Sequence, residues 1–118
     1  MTATKEFELR TIVCLDVPKE VEIDGRTAEP EQYDDGEGDY IEYVGYSDED
    51  APYSDWRIYI QPERDGMVYV RATLDDDELD SAEIDLNAVR SPTLTEVVEE
   101  YAEDIRREIA RVRRTAGE

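Results

Sequence analysis

The sequence predicts an α+β fold, in which an antiparallel sheet of five or six strands is packed by one C-terminal helix. Over most of the chain, apolar and polar residues alternate as they do in strands that bury one face. The dipeptides Asp24-Gly25 and Asp65-Gly66 lie between such segments and favour tight hairpin turns. From residue 92 the apolar spacing changes to three and four, which is typical of a helix. The length of 118 residues fits one domain, so we predict a single domain over 1–118.

The first predicted element is a long N-terminal strand over residues 6–17, EFELRTIVCLDV. Its apolar residues share one parity at first and fill nearly every position later, which indicates a strand that becomes covered on both faces. Pro18 interrupts it, and a short apolar segment over 21–23 leads into the turn at Asp24-Gly25. Cys14 lies in the apolar part. Because it is the single cysteine, we expect a buried thiol and no disulfide.

Residues 26–39, RTAEPEQYDDGEGD, are predicted to form a long acidic loop. The segment contains Pro30, Gly36 and Gly38 and has no apolar period. A connection of this length is unusual in a compact domain. It is therefore either a mobile surface loop or an ordered arm held by a neighbour.

The remaining strands are predicted to form an antiparallel meander. Residues 40–46, YIEYVGY, are rich in aromatic and β-branched side chains. The segments 56–61 and 67–74 flank PERDG as a hairpin, and 82–86 alternates again. The residues expected to face the core are Trp56, Ile58, Ile60, Val68, Val70, Ala72, Leu74, Ala82, Ile84 and Leu86. The opposite face is expected to carry Tyr43, Tyr59, Tyr69 and Arg71, either as a protein-contact surface or as half-exposed tyrosines that need no partner.

An amphipathic C-terminal helix is predicted over residues 92–114. It can begin with Ser91 as N-cap and Pro92 as first residue, or with a capping box of Thr93 and Glu96. The apolar stripe comprises Leu94, Val97, Val98, Tyr101, Ala102, Ile105, Ile109 and Val112. Three pairs of opposite charge have helical spacing: Glu103 with Arg107, Asp104 with Arg107, and Glu108 with Arg111.

The composition is strongly acidic, with 33 Asp and Glu, 13 Lys and Arg, no His and a net charge of −20. Such a charge favours either a disordered chain or a folded protein adapted to concentrated salt. The regular alternation and the eight tyrosines favour the folded protein. At about 1 M salt the Debye length is about 3 Å, so repulsion between surface carboxylates is largely screened. The composition resembles that of proteins from extremely halophilic archaea and their viruses.

The residue types available exclude several kinds of chemistry. Without His the chain cannot form a Ser-His-Asp triad, and one cysteine cannot build a zinc site. The acidic segments do not match the EF-hand pattern, so loosely bound cations are expected there instead of a defined metal site. We therefore expect no catalytic residues, no cofactor and no enzymatic activity.

The C-terminal segment 105–114, IRREIARVRR, carries five arginines and one glutamate. Three interpretations stay open: interaction with the carbonyl groups of the helix end, docking on acidic surfaces of another protein, and binding of nucleic acid. Nucleic acid is disfavoured because phosphates would meet a net charge of −20 and counterion release is weak in high salt. The predicted protein-contact residues are Arg106, Arg107, Arg111, Arg113 and Arg114, followed by Tyr43, Tyr59 and Tyr69.

These observations predict a non-enzymatic structural or assembly subunit of a larger complex from an extreme halophile. A head or tail component of a halophilic archaeal virus is one such subunit. The alternative is a small free-standing adaptor or regulatory domain that binds a host protein. Partners are expected to be proteins, either copies of itself or other subunits. The sequence contains no apolar segment of membrane-spanning length, and its start lacks the apolar region of a signal peptide. We expect a cytoplasmic location, or the virion if the protein is viral.

Overall fold

A computed structural model describes residues 3–9, 15–34, 36, 38–47, 51–63, 66–87 and 94–116. Within these ranges the chain forms nine strands and one helix. A five-stranded antiparallel sheet and two small two-stranded sheets pack against the C-terminal helix, which confirms the predicted α+β class. The elements are β1 (Thr4–Phe7), β2 (Leu15–Pro18), β3 (Val21–Ile23), β4 (Arg26–Ala28), β5 (Glu31–Asp34), β6 (Asp39–Tyr46), β7 (Asp55–Pro62), β8 (Met67–Leu74), β9 (Asp77–Asp85) and α1 (Leu94–Ala116).

The large sheet has the order β5-β6-β7-β8-β9, so each strand pairs with the next one along the chain. The turn between β8 and β9 is formed by Asp75 and Asp76, both with positive φ, as a tight hairpin requires. The predicted inward positions of β7 and β8 are all buried, as is Ile84 on β9. Ala82 and Leu86 were expected to be buried as well, but both are exposed. Ala82 lies on an edge strand, and Leu86 lies beyond the last residue of β9.

The prediction of a single long N-terminal strand over 6–17 is wrong, because the two ends of this segment pair with each other. β1 and β2 form a separate antiparallel sheet in which Phe7 lies opposite Leu15, and both side chains are buried. Phe7 and Leu15 have the same parity in the sequence, so alternation alone is compatible with one strand or with a reversed pair. The predictions for residues 10–14, including the buried thiol of Cys14, lie outside the described residues.

The predicted loop over 26–39 also contains regular structure. β4 pairs with β3 across the turn at Asp24 and Gly25, and β5 forms an edge of the large sheet next to β6. All four side chains of β5 are exposed. An edge strand of this kind is held by its main-chain ladder and shows no apolar alternation, so its sequence resembles that of a loop.

Helix α1 is described over Leu94–Ala116, so it lies where the helix over 92–114 was predicted and extends two residues beyond the predicted end. The described residues do not include 91–93, so the predicted caps are outside them. The apolar stripe is buried from Leu94 to Ile109, and Val112 is partly buried against it. The helix contacts β7, β8 and β9 of the large sheet and β2 and β3 of the small sheets. In the described part of the chain, no helix combines the length and apolar character that a membrane span needs.

The core therefore lies between one face of the large sheet and a layer made of α1 and the small sheets. Trp56, Ile58 and Ile60 project into it from the central strand β7. We call the opposite side of the sheet the open face. It carries the residues of alternate parity, which are partly exposed along β7 and β8.

Candidate protein-contact surfaces

Two of the predicted contact arginines hold the helix to its own chain. The guanidinium of Arg106 donates hydrogen bonds to the carbonyl oxygen of Glu22, from Nε at 2.9 Å and from Nη2 at 2.6 Å. Arg113 forms a bidentate pair with the carboxylate of Asp24, with Nη2 2.7 Å from Oδ2. Both contacts join α1 to the β3–β4 hairpin. Two arginines of the basic helix end therefore form contacts within the molecule and are less available to a partner.

Arg113 and Asp24 also contact Tyr53. We call Asp24, Tyr53 and Arg113 the internal arginine site. The Tyr53 hydroxyl donates to Asp24 Oδ2 at 2.5 Å, and the Arg113 guanidinium lies 6.0 Å from the centre of the Tyr53 ring. The hydrogen bond from Arg113 lowers the pKa of Asp24, and burial raises the pKa of Tyr53 to about 12. A carboxylate thus binds one guanidinium by charge-assisted hydrogen bonds, and a tyrosine ring lies within cation–π distance of the same guanidinium.

The other three arginines lie on the outer surface of α1, around a shallow depression of about 590 Å³ that also borders Leu79 and Asp80 of β9. Arg107 pairs with Asp104 at 3.2 Å, and Arg111 pairs with Glu108. Both pairs were predicted. Glu103, however, pairs with Arg106 at 3.1 Å and not with Arg107.

Arg114 is exposed and contacts no acidic side chain within the described part of the chain. Arg107 and Arg111 are partly neutralised by their neighbours on the helix. Arg114 is therefore the cation of this surface that is most available to a partner.

Of the three predicted contact tyrosines, Tyr59 and Tyr69 lie on the open face, but Tyr43 does not. Tyr43 pairs with Ile58 in the sheet, so its side chain points to the core, where it is fully buried. Its hydroxyl donates to the carbonyl oxygen of Pro18 at 2.5 Å. Burial raises the pKa of this phenol. The surface role predicted for Tyr43 is therefore wrong.

The open face contains an aromatic ladder that crosses four strands. The ring centres of Tyr33 and Tyr40 are 5.3 Å apart, and those of Tyr40 and Tyr59 are 5.0 Å apart. The guanidinium of Arg71 continues the series, 5.3 Å from the Tyr59 ring. We call Tyr33, Tyr40, Tyr59 and Arg71 the tyrosine ladder. Sequence reasoning missed Tyr33 and Tyr40, since finding them requires the β5–β6 pairing, in which they are directly opposite.

The ladder ends in a buried polar atom. Arg71 Nε is buried and has no hydrogen-bond partner among the residues that the structure describes. By contrast, Arg57 on the same face binds two carboxylates, those of Glu42 at 3.3 Å and Asp55 at 3.1 Å. A guanidinium nitrogen shielded from water without a partner is energetically costly.

A cleft of about 600 Å³ lies where the open face reaches β5, and we call it the β5-edge cleft. The Tyr33 hydroxyl donates to Glu31 Oε2 there at 2.7 Å, and this hydrogen bond is the main cause of the increase of the Tyr33 pKa to about 12. Tyr33 is 39% exposed. Among the described residues, no group of three or more acidic or cysteine side chains is arranged to bind a metal ion. The side chains that line the cleft include Glu29, Glu31, Tyr33, Glu42, Val44 and Tyr46.

Comparison of this chain with protein-family models, with curated proteins and with solved structures finds no match. The chemistry of its own surfaces is therefore the basis for inferring a function. Two surfaces stand out among the described residues: the outer side of α1, where Arg114 has no acidic partner, and the open face of the sheet with its tyrosine ladder.

Proposed function

We propose that the protein is a non-enzymatic subunit of a larger protein assembly in an extreme halophile, and that it contacts other subunits through the open face. The observation that carries this proposal is the tyrosine ladder, which lies partly exposed across the open face and ends at Arg71. Tyrosine and arginine are enriched at protein interfaces, and tyrosine buries a large area at little loss of side-chain freedom. A ladder of this kind on an uncovered sheet face fits a surface that meets another protein.

The charge distribution supports a role in concentrated salt. Strand β9, the far edge of the sheet, has the sequence DELDSAEID and places several acidic residues side by side. At low ionic strength these charges repel one another and keep the edge from pairing with other strands. At molar salt the repulsion is screened, so compact folding and close contact between acidic subunits both become favourable. A head or tail component of a halophilic archaeal virus is one assembly that fits this proposal.

The proposal assigns no bond-making or bond-breaking chemistry to the chain. With no His and one Cys, the sequence lacks the usual nucleophile–base pairs and zinc ligands. The carboxylates near the open face are used in contacts instead: Glu42 and Asp55 bind Arg57, and Glu31 accepts from Tyr33. These groups fit a recognition surface.

The experiment is a mass measurement on protein purified from its own source in about 2–3 M KCl, where surface repulsion is screened. Light scattering should give a complex much larger than one chain. Tyr59→Ala should release the protein from the complex, while Leu86→Ala, which removes another partly exposed large side chain outside the ladder, should not. Emission from the buried Trp56 reports whether each variant is folded.

A free monomer at the source would overturn the proposal. A complex of one copy with a single different protein would favour the adaptor alternative. In the same KCl series, stability should rise from about 0.1 M to about 2–3 M salt as carboxylate repulsion is screened. A fold that is equally stable at both ends would refute the adaptation to salt.

A further inference from the structure

We infer that the β5-edge cleft binds the arginine-bearing end of α1 from a second copy of this chain, with Arg114 as the principal contact. Copies would then join head to tail. This inference rests on the proposed function and names the partner for one end of the open face.

The first reason is that the cleft repeats the internal arginine site without its arginine. In that site, the Tyr53 hydroxyl donates to the Asp24 carboxylate, and Arg113 binds both residues. In the cleft, the Tyr33 hydroxyl donates to the Glu31 carboxylate at 2.7 Å, and no arginine pairs with Glu31 within the described residues. The same tyrosine–carboxylate pair that binds a guanidinium inside the molecule is therefore open to one from outside.

The second reason is that a suitable guanidinium is available. Arg114 is exposed and contacts no carboxylate in the described ranges. It is flanked by Arg107 and Arg111, whose pairs with helix neighbours are exposed and individually weak. One of these two arginines can therefore pair with the exposed Glu29 of the cleft at little cost when Arg114 contacts Tyr33.

The third reason is the position of the two surfaces in the fold. The cleft lies at the β5 edge of the sheet, whereas the depression around Arg114 borders Leu79 and Asp80 of β9 at the opposite edge. Five strands spaced about 4.8 Å apart put these edges about 19 Å from each other. Within the described residues, no arginine of the same molecule pairs with Glu31, so the two surfaces are not joined inside one molecule. A contact between two different surfaces of identical chains repeats, and it produces a ring or an open chain.

The chemistry of the contact also suits concentrated salt. Simple attraction between exposed charges is nearly lost when the Debye length falls to about 3 Å. Arginine is weakly hydrated, pairs with carboxylates in a bidentate geometry and stacks on aromatic rings, so short-range contacts remain effective there. Both halves are present on one chain, which makes a second copy the partner that fits best.

The test uses recombinant protein alone in about 2–3 M KCl, followed by sedimentation velocity over a range of concentrations. The wild type should form species larger than a dimer. Arg114→Glu and Glu31→Arg should each weaken self-association at least about tenfold, because each places like charges in contact. The matched controls, Lys19→Glu and Glu20→Arg, make the same charge changes at exposed positions outside both surfaces and should behave like the wild type.

A mixture of two neutral contact variants gives the sharpest outcome, because their altered surfaces cannot attract each other. The Arg114→Ala protein keeps an intact cleft, and the Glu31→Gln protein keeps an intact Arg114, so together they can form one native contact. The mixture should therefore stop at a dimer, whereas each variant alone remains a monomer.

Wild-type protein that stays monomeric at every concentration overturns the inference, as do variants that associate like the wild type. In either case, protein from the native source can still belong to a larger complex. That result would keep the proposed assembly role and reject only the contact between two copies of this chain. Emission from the buried Trp56 separates loss of contact from loss of fold.

Discussion

Replacing Gly45 by alanine should be severely destabilising, although it adds one methyl group. Gly45 lies directly opposite Trp56 in the β6–β7 pair, and the indole ring covers the glycine. A Cβ built on Gly45 would lie 2.5 Å from Cζ2 of Trp56 and closer still to Nε1 and Cε2. Trp56 is 1% exposed and packed on all sides, so its ring cannot turn away without disturbing the core.

The size of the effect follows from two opposing contributions. Alanine restricts the unfolded chain more than glycine does, which would stabilise a strand by about 0.5–1 kcal/mol. The opposing cost depends on how the core responds: overpacking with the ring nearly in place costs about 1–3 kcal/mol, whereas complete displacement of the tryptophan costs about 3–5 kcal/mol. We therefore expect Gly45→Ala to lower the free energy of unfolding by about 2–4 kcal/mol.

Urea titration in concentrated KCl measures this loss, with the fluorescence of the single tryptophan as the signal. Gly38→Ala is the matched control, because a Cβ there meets nothing within 4 Å. In a Trp56→Phe background, the smaller ring leaves room for the added methyl group. Gly45→Ala should therefore lower the free energy of unfolding much less in that background than in the wild type, as measured by circular dichroism. If Gly45→Ala is as neutral as Gly38→Ala, the packing of Trp56 on Gly45 is wrong.

Two further substitutions probe polar contacts. Tyr43→Phe should cost about 1–2 kcal/mol, because it leaves the buried carbonyl oxygen of Pro18 without its donor; an unchanged urea midpoint would contradict that hydrogen bond. Asparagine tolerates the positive φ of 57° at position 24, so Asp24→Asn removes the charge that binds Arg113 without straining the turn. It should lower the free energy of unfolding by about 0.5–1 kcal/mol at neutral pH. Arg113 lowers the pKa of Asp24 below its ordinary 3.8. The wild type should therefore keep this contribution to stability above about pH 5 and lose it on further acidification. The variant should show a flatter profile of melting temperature against pH. Parallel profiles for both proteins would refute the role of the ion pair.

The parts of the fold that the sequence predicts well are those in which one parity is apolar and the other is polar. In β7 the alternation of Trp56, Ile58 and Ile60 with polar or amphipathic residues leaves one choice of buried face. In β6 both parities are apolar or aromatic, since Ile41 and Tyr43 alternate with Tyr40, Val44 and Tyr46. There the buried face is decided by the partner strand, which the sequence of β6 alone does not reveal.

The candidate contact residues show the same dependence on distant partners. That Arg106 and Arg113 point away from the apolar stripe follows from helical spacing. Their hydrogen bonds to Glu22 and Asp24 join residues 84 and 89 positions apart, and no local pattern encodes them. Tyr33 is a further case, because its place in the ladder depends on an exposed edge strand with no apolar period.

In a chain with a net charge of −20, a carboxylate near an arginine is not by itself informative. What distinguishes a binding site from the acidic background is a carboxylate that is oriented by a second group and placed beside a flat apolar surface. The Tyr53–Asp24 pair meets both conditions and binds Arg113, while the Tyr33–Glu31 pair meets them on the outside of the molecule. Concentrated salt strengthens this distinction, because it screens long-range attraction and leaves stacking and hydrogen bonding at contact distance. The self-contact is therefore expected at Glu31, and the many solvated carboxylates elsewhere on the surface should not compete for Arg114.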